Sequence, residues 1–87
     1  MTRYEIEFVP LARRQLKKLE PKARIEVQKV IDGLADDPRP NGYKKLHGKL
    51  KAFHRVESGN FRVIYAIRDE VLIVLIVKVG DRRDIYS

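Results

Sequence analysis

Residues 52–79 read AFHRVESGNFRVIYAIRDEVLIVLIVKV, and this stretch decides the predicted fold. Residue types that favour strands are interrupted twice, at Ser58-Gly59-Asn60 and at Asp69-Glu70, and both interruptions are typical turn sequences. The stretch therefore predicts three consecutive antiparallel strands. In the middle strand, alternation assigns one face to Phe61, Val63, Tyr65 and Ile67 and the opposite face to Arg62, Ile64, Ala66 and Arg68.

The last of these strands, VLIVLIVKV at residues 71–79, hardly alternates between apolar and polar residues. Strands of this kind are usually buried on both faces of a sheet. One face can pack on helices. The other face needs a cover, or forms an apolar surface that a partner covers.

The segment before this stretch predicts one strand and two helices. Residues 3–9, RYEIEFV, alternate with a period of two and predict a strand. Helices are predicted over about residues 10–19 and from Pro21 to Asp36-Asp37-Pro38, since proline favours a first helical turn. The apolar stripe of the second helix consists of Ala23, Val27, Val30, Ile31 and Leu34. Residues 38–51, PRPNGYKKLHGKLK, predict a loop.

These elements predict a single domain over residues 1–87, of the α+β class and with the order β-α-α-β-β-β. A helical hairpin is expected to pack on one face of a small, antiparallel-dominated sheet. The chain contains no cysteine, which excludes disulfides and thiolate metal sites. Its beginning does not resemble a signal peptide, and its longest apolar run is too short to cross a bilayer. A cytoplasmic protein without membrane contact is expected.

The net charge of +7 is concentrated in the second half of the chain. Residues 1–40 contain nine basic and seven acidic side chains, whereas residues 41–87 contain ten and five. Such a surplus suits either a nucleic acid or an acidic protein partner. A basic, solvated surface without a partner is the simpler alternative.

A candidate site follows from VGDRRDIYS at residues 79–87. On an antiparallel sheet, Arg55, Arg62, Arg82 and Tyr86 can share one groove, because neighbouring strands lie about 5 Å apart. Arginine binds phosphate with two parallel hydrogen bonds, and tyrosine stacks on unpaired bases. Alternatively, Arg82 and Arg83 simply pair with Asp81 and Asp84, and Tyr86 caps the core.

The chemistry that suits these residues is binding of single-stranded RNA and attack by its own 2′-hydroxyl on the adjacent phosphorus. This route needs a base, an acid and cations, and it needs neither a metal nor a cofactor. The sequence contains no paired carboxylates, Ser/His/Asp set, phosphate loop or zinc-binding pattern.

Three segments carry a resemblance to a known superfamily: FVPLARRQLKKL at residues 8–19, SGNFRVIYAI at 58–67 and VKVGDRRDIYS at 77–87. In order, spacing and total length the chain resembles the RelE/ParE superfamily of toxins from type II toxin–antitoxin modules. RelE-like members cut mRNA in the ribosomal A site, whereas ParE-like members poison DNA gyrase.

The resemblance implies an mRNA interferase with defined site residues. Arg62 would contact the phosphate, Arg82 would stabilise or protonate the leaving group, and Tyr86 would stack on the cleaved nucleotide and transfer protons. Further RNA or phosphate contacts are expected from Arg55, Lys49, Lys51 and Arg83.

The general base stays open at this point. The best-studied RelE pattern has two lysines where this chain has Phe53 and Arg55, and an arginine, which keeps its proton in proteins, is a poor base. The candidates are Tyr86, His54, Lys49 and Lys51. Alternation places His54 on the face opposite Arg55, and we expect it to be a sheet-surface residue.

The resemblance also implies an acidic antitoxin that neutralises this chain in a hetero-oligomeric complex. Two alternatives to a nuclease remain. One is a ParE-like gyrase poison, and the other is an inactive member that acts only in a repressor complex with its antitoxin.

Overall fold

The computed structural model describes residues 3–83, which form a five-stranded sheet with two helices on one face. In chain order the elements are β1 (Glu5–Phe8), α1 (Pro10–Lys17), α2 (Pro21–Gly33), β2 (Lys44–Lys45), a 3-10 turn (Gly48–Leu50), β3 (His54–Ser58), β4 (Phe61–Arg68) and β5 (Ile73–Asp81). The predicted α+β class and element order are confirmed. The structure adds the two-residue strand β2 inside the segment that was predicted as a loop.

The strands lie side by side in the order β1-β5-β4-β3-β2. β1 runs parallel to β5, and the other neighbours are antiparallel. Across residues 3–83, no helix combines the length and the apolar character that a membrane crossing requires.

The predicted turn between β3 and β4 is a tight two-residue hairpin. Ser58 pairs with Phe61, and Gly59 has a φ of 59°. Glycine in this left-handed region, at the first central position, is typical of the type II′ turns that match strand twist. The turn fixes the register of the hairpin, and therefore places Glu57 opposite Arg62.

The core lies between the helices and one face of the sheet. Ala12 of α1 and Val27 and Ile31 of α2 are fully buried there. The shared face predicted for Phe61, Val63, Tyr65 and Ile67 is confirmed, and it is the core face, since all four lie in the buried cluster or pack against it. The Tyr65 hydroxyl, in this apolar setting, donates a hydrogen bond of 2.6 Å to the Pro38 carbonyl.

A register shift interrupts the alternation of β5 at Val77. Ile64 pairs with Lys78 but Tyr65 pairs with Ile76, so Val77 is an extra residue on β5. A bulge of this kind reverses the facing of every later residue. Accordingly, Val74 and Ile76 face the helices before the bulge, and Val79 faces them after it. Ile73 and Leu75, on the other face before the bulge, are half-buried, as is Val77 at the bulge. Apolar residues therefore occupy both faces of this strand.

Helix α1 provides a hydrogen-bond acceptor to the part of β5 that extends beyond β1. The pairing of β1 with β5 ends at Phe8 and Ile76. Further along β5, the Val79 N–H donates to the Gln15 side-chain oxygen of α1 at 2.8 Å. This hydrogen bond satisfies a strand donor that β1 does not reach, and it holds the segment that leads into Asp81 and Arg82.

Candidate active site

The face of the sheet opposite the helices is rich in cations. On this face the sheet register aligns Glu57, Arg62 and Gly80 in one row. The next row contains Arg55, Ile64 and Lys78. Adjacent strands lie about 5 Å apart, so side chains of three strands share a small area. We call this side of the sheet the open face.

Two guanidinium groups meet at one carboxylate oxygen on the open face. The Glu57 Oε2 atom accepts a hydrogen bond of 3.0 Å from Arg62 Nη2. The same oxygen lies 3.5 Å from Arg82 Nη1. The hydrogen bond from Arg62, together with the charge of Arg82, lowers the pKa of Glu57. Among the residues that the structure describes, these ion pairs join one negative and two positive charges, which is a surplus of one positive charge.

The backbone brings Arg82 to this point. Its N–H donates to the Asn60 carbonyl at 3.0 Å, which extends the hydrogen bonding between β4 and β5 to the hairpin turn. A recess of about 200 Å³ lies beside it, lined by Asn60, Asp81, Arg82 and Arg83. The Arg82 side chain is 52% exposed, whereas that of Arg62 is 13% exposed. Arg82 is therefore the more accessible of the two cations.

Arg83 is oriented differently from Arg82. Its Nε and Nη2 atoms each donate to Asp81 at 3.1 Å, and its backbone N–H donates to the same carboxylate at 2.9 Å. These hydrogen bonds from Arg83 lower the pKa of Asp81. Arg83 therefore pairs with a neighbouring aspartate, as one alternative from the sequence proposed. Arg82 instead forms an ion pair with Glu57.

The structure brings some of the predicted site residues together and leaves others apart. Arg55 is half-buried on the open face, one row from Arg62. Lys49 and Lys51 are exposed in the segment before β3, and within residues 3–83 no hydrogen bond or ion pair joins them to Glu57 or the arginines. The position predicted for Tyr86 lies outside the described residues.

The prediction that His54 is a sheet-surface residue is wrong. His54 is 8% exposed, and its ring lies between those of Tyr43 and Tyr65, with centroids 5.8 and 5.6 Å away. Burial, reinforced by the nearby charges of Arg39 and Lys45, lowers its pKa. Alternation did place it on the face opposite Arg55. That face is covered by helices, and His54 therefore does not reach the arginines.

Sequence reasoning missed three polar residues of the site. For Glu57, the two-residue hairpin loop predicts the position opposite residue 62, but it does not predict that this glutamate belongs to the site. Asn60 contributes through its backbone carbonyl, which leaves no signal in the residue type. Lys78 reaches the open-face row of Arg55 through the bulge, and strict alternation does not reveal a bulge.

A larger cavity, of about 450 Å³, lies on the other side of β3. It is bounded by α2 at Val30 and Gly33, by the loop at Pro40 and by β3 at Val56 and Glu57. None of the arginines named above lines it. Among residues 3–83 there is also no group of three His, Asp or Glu side chains placed to hold a metal ion. The convergent charges on the open face are therefore the stronger candidate for chemistry.

Solved structures with the same architecture define the class of protein. The chain superposes on the toxin–antitoxin complex RelBE2 from Mycobacterium tuberculosis with a TM-score of 0.85 and 33% sequence identity, over 97% of each chain. A sheet with two helices on one face and arginines on the other is thus the fold of a small toxin of the RelE/ParE superfamily, as the resemblance predicted.

Sequence comparison gives the family. Toxin RelG of Mycobacterium tuberculosis is 36% identical over 95% of each chain, and the mRNA interferase toxin RelE of Escherichia coli K12 is 26% identical over 97% of this chain and 90% of the relative. The family model described as "ParE toxin of type II toxin-antitoxin system, parDE" matches residues 6–86. The chain belongs to this family of type II toxins.

Proposed function

We propose that this toxin is an endoribonuclease of the RelE type that cleaves mRNA on the ribosome. The observation that carries the proposal is the convergence of Arg62 and Arg82 on one carboxylate oxygen of the open face. Two guanidinium groups at hydrogen-bonding distance from one anionic oxygen can also hold a phosphodiester, because planar guanidinium donors match phosphate oxygens as they match carboxylates.

The proposed reaction is attack of the 2′-hydroxyl on the adjacent phosphorus. A second negative charge develops on the phosphoryl oxygens in the transition state, and Arg62 and Arg82 would stabilise it. Tyr86 would stack on the nucleotide and transfer a proton, as its likeness to the RelE motif implies. The proposed contacts with the flanking RNA are made by Arg55, Lys49, Lys51 and Arg83.

The name of one relative supports this reaction over simple binding. The Escherichia coli relative is an mRNA interferase by name, and its sequence aligns with almost the whole chain. The more similar Mycobacterium tuberculosis relative is named a toxin. The identities are modest, and the site geometry is therefore the main support.

We also propose that an acidic antitoxin binds and neutralises this chain. The net charge of +7 favours association with an acidic partner, because complementary charge accelerates encounter. The similar Mycobacterium tuberculosis structure is itself a toxin–antitoxin complex. Ile73 and Leu75, half-buried on the open face, offer apolar surface to such a partner.

The test is primer extension on translated mRNA after induction of the chain in bacteria. We expect growth arrest and cuts within codons, and we expect both to disappear in the Arg62→Ala, Arg82→Ala double variant. Undiminished arrest by the double variant would show that the site is assigned wrongly.

A ParE-like gyrase poison is the second candidate, and the description of the matching family favours it. This activity predicts a DNA damage response, inhibition of supercoiling by purified gyrase, and intact mRNA. The same induced cultures distinguish the two activities, because only the nuclease produces new mRNA ends.

A further inference from the structure

The proposed cleavage needs a base for the 2′-hydroxyl, and the structure narrows the choice of base among residues 3–83. Phe53 and Arg55 occupy the positions where the RelE pattern has lysines, and neither side chain accepts a proton at neutral pH. His54 is buried on the helix side of the sheet. Lys49 and Lys51 precede β3, whereas the two arginines meet at Glu57, near the end of β3.

We propose that Glu57 is the general base of this site, an inference that rests on the proposed ribonuclease function. Its Oε2 atom lies 3.0 Å from Arg62 Nη2 and 3.5 Å from Arg82 Nη1. A phosphodiester held by these two guanidinium groups therefore lies directly beside the carboxylate. The Glu57 side chain is 40% exposed, so a bound ribose can reach it.

The proton transfer keeps the charges of the site balanced. Glu57 takes the proton of the 2′-hydroxyl, the 2′-oxygen bonds to phosphorus, and the bond from phosphorus to the 5′-oxygen breaks. The departing 5′-oxygen takes up a proton from water, and the products are a 2′,3′-cyclic phosphate and a 5′-hydroxyl. Glu57 becomes neutral as the phosphoryl group gains its second negative charge, so the two guanidinium charges then face two negative charges.

A carboxylate beside two arginines is in the required ionisation state. The hydrogen bond from Arg62 lowers the pKa of Glu57, so the side chain is deprotonated and ready to accept a proton at neutral pH. The same shift makes Glu57 a weaker base than an unperturbed glutamate, since efficiency rises as the pKa of the base approaches the working pH. A slow enzyme is expected.

The test separates catalysis from binding. The purified full-length toxin is mixed with ribosomes that carry a defined mRNA, and single-turnover cleavage is measured for the wild type and for Glu57→Gln. Affinity is measured with the same mRNA carrying a 2′-deoxynucleotide at the cut position. We expect Glu57→Gln to lower the cleavage rate at least about 100-fold. Affinity for the uncleavable mRNA should stay equal or increase, because a negative charge has been removed.

Glu70→Gln is the matched control. Glu70 is also an exposed glutamate paired with an arginine, Arg68, at 3.9 Å, but it lies beyond the far end of β4. Its substitution should leave the cleavage rate within about twofold of wild type. Glu57→Asp, which keeps a carboxylate, should retain more activity than Glu57→Gln.

Three outcomes would overturn the proposal. Glu57→Gln could cleave within threefold of wild type while Arg82→Ala does not cleave, in which case the ribonuclease function stands and the base is another group. Glu57→Gln could lose affinity in parallel with rate, which would make Glu57 an anchor for Arg62. If the wild type cuts no RNA, the proposed function and the base both fail.

Discussion

Two clusters of arginine and carboxylate in this toxin differ in their charge balance. In the first, Asp69 accepts hydrogen bonds of 3.3 and 2.9 Å from Arg39 and one of 2.5 Å from the Tyr4 hydroxyl. The positive and negative charges cancel. The three residues come from the start of β1, the loop after α2 and the turn between β4 and β5, so the balanced cluster ties distant segments together.

In the second cluster, counted over residues 3–83, Glu57 faces both Arg62 and Arg82, so two positive charges share one negative charge. Its residues come from neighbouring strands that are already held by backbone hydrogen bonds. This surplus cluster is thus not needed to join the segments. The balanced cluster can therefore stabilise the fold by joining distant segments, whereas the surplus cluster suits the proposed binding of a phosphodiester.

The largest expected effect distinguishes the arginines of the two clusters. Arg82→Ala should lower mRNA cleavage at least about 100-fold, because it removes a donor that stabilises developing negative charge. Arg39→Ala, the same substitution in the balanced cluster, should leave cleavage within about twofold, provided that the fraction of folded protein is matched. Primer extension on ribosome-bound mRNA measures both. Equal losses in the two variants would remove the functional distinction.

A second prediction concerns a substitution that adds a negative charge to the surplus cluster. Asn60→Asp places a carboxylate in the recess beside Arg82 and cancels the surplus charge. Affinity for uncleavable RNA should fall about tenfold, and the salt dependence of binding should decrease by about one phosphate contact. Asn41→Asp, in the exposed loop before β2, controls for the change in net charge. If both variants bind equally, overall charge and not the local surplus governs binding.

A third prediction concerns the stability provided by the balanced cluster. Asp69→Ala removes the partner of Arg39 and Tyr4, and should lower the free energy of unfolding. We expect a melting temperature lower by a few degrees. Glu70→Ala, at the next position, should change it little, since the distance of 3.9 Å to Arg68 gives a weak exposed pair. Urea or thermal unfolding provides the measurement, and equal stability of both variants would contradict the assignment.

The smallest expected effect is a pH dependence of stability that originates beside the balanced cluster. Burial lowers the pKa of His54 in the folded protein, and the charge of Arg39 adds to this. The unfolded chain therefore binds a proton more readily. The contribution of neutral His54 is complete above the unfolded-state pKa of about 6.5, and is lost as the pH falls below it.

Urea midpoints between pH 7.5 and 5.5 test this dependence. The wild type should lose stability on acidification, and His54→Gln should lose less. His47→Gln, at the exposed histidine, should behave as the wild type does. An unchanged pH dependence in His54→Gln would assign the effect to other groups.

The sequence predicted the parts of the fold that follow from periodicity and from turn residues. Alternation alone assigned Arg62 to the face away from Tyr65, and Ser58-Gly59-Asn60 located the hairpin. The bulge at Val77 was not predictable, because it depends on how β5 pairs with β4 and not on its own residues. His54 was placed on the correct face, but its burial depends on Tyr43, which comes from a segment that was predicted as a loop.

The sequence predicted the two arginines of the candidate site, but it did not predict the glutamate that both of them contact. Arg62 and Arg82 stand out as residue types that suit phosphate. A single glutamate on a strand has no such distinction, and its importance emerges only from the two distances that converge on it.

The neighbouring positions of β1 and β5 have a consequence for synthesis of the toxin in the cell. The edge strand β1 is made early, yet it cannot pair until β5 has been translated and has left the exit tunnel of the ribosome. Arg82 follows β5 immediately. The nascent toxin therefore has no assembled pair of arginines while it is being made, and under the proposed function it becomes active only after it has left the ribosome and folded.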